Sequence, residues 1–190
     1  MDTYFSNNFG FNDERRYDMM EQHLFIDARR YFTPGDVTLT TPVKFDVIFS
    51  SSGNIGMNIS PYNHVTKVEL KALCFPKVKD ESYVIVDIPE FSGRIHSNDN
   101  RASHESFAIV YFDNGSMETG VAKPMKGKDF DDKVHYFNPP DNTLNKFSVT
   151  FKKHGGDVVT FSDLVAEGQT LDVNTLLQHI SMMFCFTIRK

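Results

Sequence analysis

Strict alternation of apolar and polar residues is the feature that most constrains how this chain can fold. Between residues 36 and 49 every odd position except Thr41 is apolar, namely Val37, Leu39, Val43, Phe45, Val47 and Phe49, and the even positions between them are mostly polar. Because successive side chains of a strand point to opposite faces, this pattern predicts one long strand with a single buried face. Pro42 cannot donate a backbone hydrogen bond, which predicts an edge position or a bulge there.

The same period of two recurs in later segments. In the segment from 65 to 75, the residues expected to face inward are Val68, Leu70, Ala72 and Cys74. In the last strand they are Ile180, Met182, Phe184, Phe186 and Ile188. Segments 83–88 and 106–112 are nearly continuous apolar runs, which favours central strands that are buried on both faces. Cys74 is accordingly predicted to be a small core residue rather than a reactive thiol.

Turn residues separate these strands at short intervals. Residues 134–137 and 144–151 are predicted as two strands joined by a proline-rich turn, and Gly155-Gly156 predicts a hairpin. A short helix is expected between residues 161 and 180. The pattern predicts an all-β fold, an eight-stranded antiparallel sandwich with jelly-roll or Greek-key wiring.

Residues 1–22 differ in composition from the rest and are predicted to form an extended N-terminal arm, followed by a single domain over residues 23–190. Aromatic side chains lie among Ser, Asn and Gly in this arm, and we expect them to be assembly contacts: Tyr4, Phe5, Phe9 and Phe11. The adjoining segment leaves two interpretations open. Tyr17, Met20, Leu24 and Ala28 have helical spacing, whereas the apolar run 24–26 could begin a strand.

The charge of the chain argues against sequence-independent binding of nucleic acid. Its 190 residues carry a formal net charge of −5 at pH 7, and its basic residues are scattered. The tightest basic cluster, Lys123 to Lys128, is followed directly by acidic residues 129, 131 and 132, so a solvated loop is the favoured interpretation. The composition also departs from the average in having 18 Phe and no Trp, which suits dry cores and dry subunit contacts.

Two cysteines, Cys74 and Cys185, give no disulfide framework and no paired zinc-site motif. The N-terminal segment lacks the apolar stretch of a signal peptide, and no run reaches the roughly 18 apolar residues of a membrane span. We therefore expect a chain that folds in a reducing cytosol and has no transmembrane segment.

Motifs of catalysis are not found. None of the seven histidines has the His-x-His, His-x-Asp or His-x-x-x-His spacing that aims two ligands at one metal ion. The nearest group, His96, Asp99, His104 and Glu105, falls in a predicted loop that does not preorganise ligands. Asp129, Asp131 and Asp132 do not fit an EF-hand. No nucleophile elbow, P-loop or dinucleotide motif occurs, so no enzyme activity, cofactor or metal is expected.

The order of several segments resembles the single jelly-roll capsid proteins of large icosahedral double-stranded DNA viruses, in particular their penton and minor capsid subunits. The residues that carry the resemblance are LFIDARRYF, KFDVIF, VTKVELKALCFP, SYVIVDIPEFSG, SFAIVYF, YFNPP, TLNKFSVTF and the Gly155-Gly156 turn. The resemblance covers roughly residues 24–190. The long insert near residues 113–132 departs from it.

The resemblance implies a structural protein of the virion, assembled in the host cytoplasm, that associates with itself and with major and minor capsid proteins. A homopentamer at the fivefold vertices is the leading hypothesis, and another minor capsid role is the alternative. Two other classes remain open on the residues alone. One is a carbohydrate-binding jelly roll that uses the loops at 89–105 and 113–132, and the other is a cupin-like metal enzyme.

Overall fold

Two antiparallel β-sheets pack face to face in the computed structural model, which describes residues 18–49, 61–91, 106–112, 134–165 and 172–190. The strands in chain order are β1 (Met19–Asp27), β2 (Lys44–Ile48), β3 (Tyr62–Cys74), β4 (Tyr83–Asp87), β5 (Ala108–Tyr111), β6 (Val134–Leu144), β7 (Lys146–Lys152) and β8 (Ser181–Arg189). One short helix, α1 (Val173–Gln178), precedes β8. Single 3-10 turns cover Ala28–Arg30, Pro34–Asp36, Pro89–Phe91 and Phe161–Leu164.

Each sheet contains four strands. Sheet I has the order β1-β8-β3-β6 and sheet II has the order β2-β7-β4-β5, and every pairing is antiparallel. The predicted all-β antiparallel sandwich of eight strands is therefore confirmed for the described part of the chain.

The last strand follows its sequence pattern closely. Its inward positions, Met182, Phe184, Phe186 and Ile188, are all buried, and so is Ile180 just before the strand. β8 lies between β1 and β3, so both of its edges are hydrogen bonded and one whole face contacts sheet II. Alternation in this segment was sufficient to predict both the strand and its buried face.

The predicted long strand between residues 36 and 49 is wrong in its first half. β2 begins only at Lys44, and Leu39, expected to face inward, is 48% exposed. Threonine hydrogen bonds form a turn instead: the Thr38 amide donates to Thr41 Oγ1 at 2.8 Å, and the Thr41 amide donates to the Thr38 carbonyl at 3.0 Å. Such local side-chain bonds compete with strand formation. β2 is an edge strand, as Pro42 predicted.

In β3 the predicted inward positions of Ala72 and Cys74 are wrong. Both are only partly buried, whereas Leu73 is buried beside Val68 and Leu70. The pairing with β8 shifts register between Leu70 and Ala72. A bulge adds one residue to a strand and so reverses which side chains face the core beyond it.

Two further predictions require correction. β5, expected to be central, is the edge strand of sheet II, and Tyr111 at its end is 61% exposed. β4 is internal, as expected. The proline-rich turn predicted at residues 139–143 lies instead within β6, and Asn145 alone joins β6 to β7. β6 is an edge strand of sheet I, where the missing amides of Pro139 and Pro140 can be tolerated.

The segment with two open interpretations is a strand. β1 pairs with β8 over nine residues, from Met19 opposite Arg189 to Asp27 opposite Ser181. Leu24 and Ile26 are buried and Phe25 is exposed between them, which is a period of two. The sandwich therefore begins at Met19, within the segment expected to be an arm, and residues 1–17 lie outside the described part.

Two local predictions are confirmed near the C-terminal end. Residues 152 and 158 pair across the predicted hairpin, where Gly156 adopts a φ of 88° that favours glycine. The expected short helix is α1, and the Asp172 side chain caps it by accepting a hydrogen bond from the Thr175 amide.

Phenylalanine side chains fill the space between the sheets. Phe91, in the 3-10 turn after β4, is fully buried, and its ring centroid lies 4.9–6.4 Å from those of Phe107, Phe137, Phe147, Phe184 and Phe186. Such distances are favourable for aromatic pairs. Phe91 thus joins both sheets at one point of the core.

Replacing Phe91 with Ala should lower the free energy of unfolding by about 3–5 kcal/mol, because a buried ring is lost and a cavity remains. Urea denaturation followed by circular dichroism measures this change. Phe25→Ala is the control: its side chain is exposed, so the change should be about 0.5 kcal/mol or less. Equal effects at the two positions would contradict this account of the core.

Asp163 ties the 3-10 turn at Phe161–Leu164 to the hairpin after β7. Its carboxylate accepts hydrogen bonds from Lys153 Nζ at 2.7 Å and from the Thr160 amide at 2.8 Å. Burial alone would raise the pKa of Asp163, but the bonds from Lys153 and Thr160 outweigh it and hold that pKa below its usual range. The charged carboxylate therefore stabilises the fold.

Asp163→Asn should lower the free energy of unfolding at pH 7 by about 1–2 kcal/mol, the usual value of such a capping and charge-assisted bond. Since the folded pKa is depressed, this contribution is present above about pH 4 and is lost as the pH falls through the folded pKa. Urea denaturation at several pH values should show wild type and variant converging in acid. Asp157→Asn, at an exposed carboxylate of the same hairpin, should show no comparable loss at pH 7.

Candidate functional site

The outer face of sheet I carries a group of reactive and charged side chains. Alternation along β1 places Glu21 and His23 on this face, and the β1–β8 register places Cys185 opposite His23. Glu69 of β3 lies opposite Cys185 on the other side. One row of side chains therefore runs across three strands.

Two lysines of β3 form ion pairs with one glutamate of the same strand. Lys67 Nζ lies 2.9 Å from Glu69 Oε2, and Lys71 Nζ lies 2.5 Å from Glu69 Oε1. Burial alone would raise the pKa of Glu69, but the hydrogen bonds from Lys71 and Lys67 outweigh it and lower that pKa. Both oxygens of this carboxylate are thus engaged by lysines.

Cys185 is covered although it lies on the outer face. Its side chain is only 2% exposed beneath its neighbours on β1 and β3. Burial raises the pKa of the Cys185 thiol, and the nearby Glu21 carboxylate raises it further, whereas Lys71 opposes the change. The thiol is therefore protected from bulky reagents.

Glu21, His23 and Cys185 form the one group of potential metal ligands that the described residues bring together. One ligand atom from each, a carboxylate oxygen, an imidazole nitrogen and the thiol sulfur, lies within 4.8 Å of the other two. Sequence reasoning missed this group because its third member comes from a strand far along the chain. The available signal was Glu-x-His, since alternate residues of a strand share a face.

Large apolar side chains are exposed on both outer faces. Met19, Phe25 and Tyr136 are exposed on sheet I, and Ile48 and Tyr111 are exposed on sheet II. Phe25 lies opposite Met183, which in turn lies opposite Ala72. An apolar row therefore crosses sheet I beside the polar row of His23, Cys185 and Glu69. Both faces thus offer surface that another protein could cover.

An aromatic group lies at the edge of sheet II. Tyr83 and Tyr111 are cross-strand partners with ring centroids 5.5 Å apart, and the Tyr83 hydroxyl is hydrogen bonded to His154 Nδ1. Lys152 and Asp87 form an ion pair of 2.5 Å on the same sheet. Side-chain contacts therefore add to the backbone pairing of β4 with β5 and of β4 with β7.

Most of the sequence-predicted contact residues lie outside the described part of the chain. This applies to Tyr4, Phe5, Phe9 and Phe11, to the group from His96 to Glu105, and to the charged residues 123–132. Of the predicted loop at 89–105, only residues 89–91 are described, and they form the turn that buries Phe91. The rings of His135 and Phe137 pack edge to face, with their centroids 4.6 Å apart.

Comparison with models of known protein families and with curated protein sequences finds no match to this chain. Among the described residues, no helix has the length and apolar character needed to cross a membrane. Fold and surface geometry therefore provide the basis for a functional proposal.

Proposed function

We propose that this chain is a structural capsid protein of a large icosahedral DNA virus, and that it is the penton subunit, which forms pentamers at the fivefold vertices. One observation carries the proposal: the strands pair as β1 with β8, β2 with β7, β3 with β6 and β4 with β5. This pairing arises when the first four strands run antiparallel to the last four, as in one long hairpin, and that hairpin then folds into two sheets. We infer jelly-roll wiring, the architecture found in viral capsid domains.

The core supports a role as a rigid subunit. Aromatic contacts cross from sheet II to sheet I, for example between Phe147 and Phe184 at 5.5 Å and between Phe49 and Tyr62 at 5.1 Å. Close-packed interiors have low compressibility and transmit strain rather than absorb it. Such a sandwich can keep its outer surfaces in a constant geometry, as repeated contacts in a shell require.

The outer surfaces support self-association. Exposed apolar side chains occur on both sheets, and they include Phe25 and Tyr136 on sheet I and Tyr111 on sheet II. Specific interfaces of standard size bury about 800 Å² on each partner and are anchored by aromatic residues. In the proposed pentamer these residues are covered by neighbouring subunits or by major capsid proteins.

Light scattering of the purified full-length chain at several concentrations tests the proposal. As concentration rises, the mass should level off at five times that of the chain, because a closed ring of five copies satisfies all like interfaces. A limiting dimer or trimer would contradict the penton assignment. It would favour the alternative, another minor capsid protein that links major capsid units.

Removal of residues 1–17 should weaken this assembly without unfolding the sandwich, because β1 begins at Met19 and keeps its pairing with β8. Light scattering should show at least a tenfold higher concentration for half-assembly, equivalent to about 1.4 kcal/mol. Circular dichroism and urea denaturation should be unchanged.

A matched variant distinguishes the contribution of the arm's aromatic side chains to assembly from that of the arm's length. Replacing Tyr4, Phe5, Phe9 and Phe11 with Ser should reproduce most of the loss, because aromatic side chains are the expected anchors. Assembly at the wild-type concentration by both proteins would disprove the role of the arm and leave the pentamer itself untouched.

A further inference from the structure

We propose that Glu21, His23 and Cys185 bind a zinc ion on the outer face of sheet I. The three side chains come from the first and last strands of the sandwich, which are neighbours in the sheet. Glu21 and His23 are separated by one residue and therefore share a face of β1, and Cys185 is the direct cross-strand partner of His23.

The distances suit a four-coordinate ion. Zinc binds sulfur at about 2.3 Å, nitrogen at about 2.0–2.1 Å and carboxylate oxygen at about 2.0–2.2 Å. Donors arranged tetrahedrally at these lengths lie roughly 3.3–3.6 Å from one another. The three donor atoms here lie within 4.8 Å of one another, so binding one ion would bring them closer together by at most roughly 1.5 Å.

The three members of the cluster differ in burial. Cys185 is 2% exposed at the base, whereas Glu21 and His23 are exposed above it. The proposed ion would therefore be reached from the side of Glu21 and His23, with Cys185 behind them. Water completes the coordination at the solvent-facing position, as in zinc sites with three protein ligands.

The donor set selects the class of metal. Thiolate and imidazole favour zinc and related thiophilic ions, whereas calcium and magnesium require mainly oxygen ligands. Glu69 is near but is not counted as a ligand, because its two carboxylate oxygens are bound by Lys67 and Lys71.

Local charges allow a dication to bind. The charged groups that act on the Cys185 thiol are Glu21, Lys71, Glu69 and Lys67. Glu69 lies between the two lysines and offsets much of their field. Once the thiol releases its proton to solvent, the thiolate and Glu21 leave the group with a net negative charge, and zinc binding is accompanied by that proton release.

Zinc at this position would fasten β1 to β8. Because β1 is an edge strand whose only strand partner among the described residues is β8, it depends on this one pairing. A ligand that binds the folded state alone stabilises that state by mass action. The ion would therefore hold in place the strand that directly follows residues 1–17.

Zinc titration of the full-length chain, after chelation and removal of the chelator, tests the site. Calorimetry should show one Zn²⁺ bound per chain and a rise in melting temperature on addition of Zn²⁺. Co²⁺ in place of Zn²⁺ should give a thiolate-to-metal charge-transfer band in the near ultraviolet. Ca²⁺ and Mg²⁺ should neither bind with this stoichiometry nor raise the melting temperature.

Variants at each ligand position distinguish this site from adventitious binding. Glu21→Gln and His23→Gln change exposed side chains, so the fold should persist. Zinc affinity should fall by about 100-fold or more, because loss of a direct ligand costs at least as much as loss of a residue that only hydrogen bonds to a ligand. Cys185→Ser should abolish the cobalt charge-transfer band. The matched controls Cys74→Ser and His179→Gln should bind zinc as wild type does.

Two results would overturn the proposal. One is the lack of stoichiometric zinc binding by the stripped wild-type chain, and the other is unchanged affinity in both Glu21→Gln and His23→Gln. Neither result bears on the pentamer, because the zinc measurements do not depend on oligomeric state.

Discussion

Burial of phenylalanine between the two sheets is the interaction on which the rest of the structure depends. Phe91, Phe147 and Phe184 come from three separate segments, and their rings contact one another at 4.9–6.4 Å. Each ring removes a large apolar area from water without adding a polar group that needs a partner. The sheets can therefore be dry on their inner faces, and among the described residues no charged side chain is buried.

Because the inner faces of the sheets form the core, functional sites are expected on the outer faces and edges. The outer face of sheet I combines an apolar row at Phe25 and Met183 with a polar row at His23, Cys185 and Glu69. An apolar row is suited to contact with another protein, and the convergent donors are suited to a metal ion. The two proposals thus use neighbouring rows of one sheet, and zinc at β1 would support the strand next to the proposed assembly arm.

Local pattern predicted most of the strands, and it failed where a bulge, a side-chain turn or the choice of strand partners decides the structure. Alternation correctly assigned the inward side chains of β8, but it placed Cys74 in the core because a bulge after Leu70 leaves no mark in the sequence pattern. Leu39 fitted the alternation too, yet threonine side-chain hydrogen bonds turn the chain there. Apolar content suggested a central position for β5, but edge or centre depends on which strands pair, not on composition.

The sequence by itself determined that this chain is a β-sandwich with one buried face per sheet, because a period of two can satisfy only strands that are half buried. Only the tertiary structure decided which strands are neighbours. Backbone hydrogen bonds join β1 to β8 across most of the chain, and a periodic pattern does not specify its partner. The meeting of Glu21, His23 and Cys185 is a consequence of that pairing, which is why no local motif announced it.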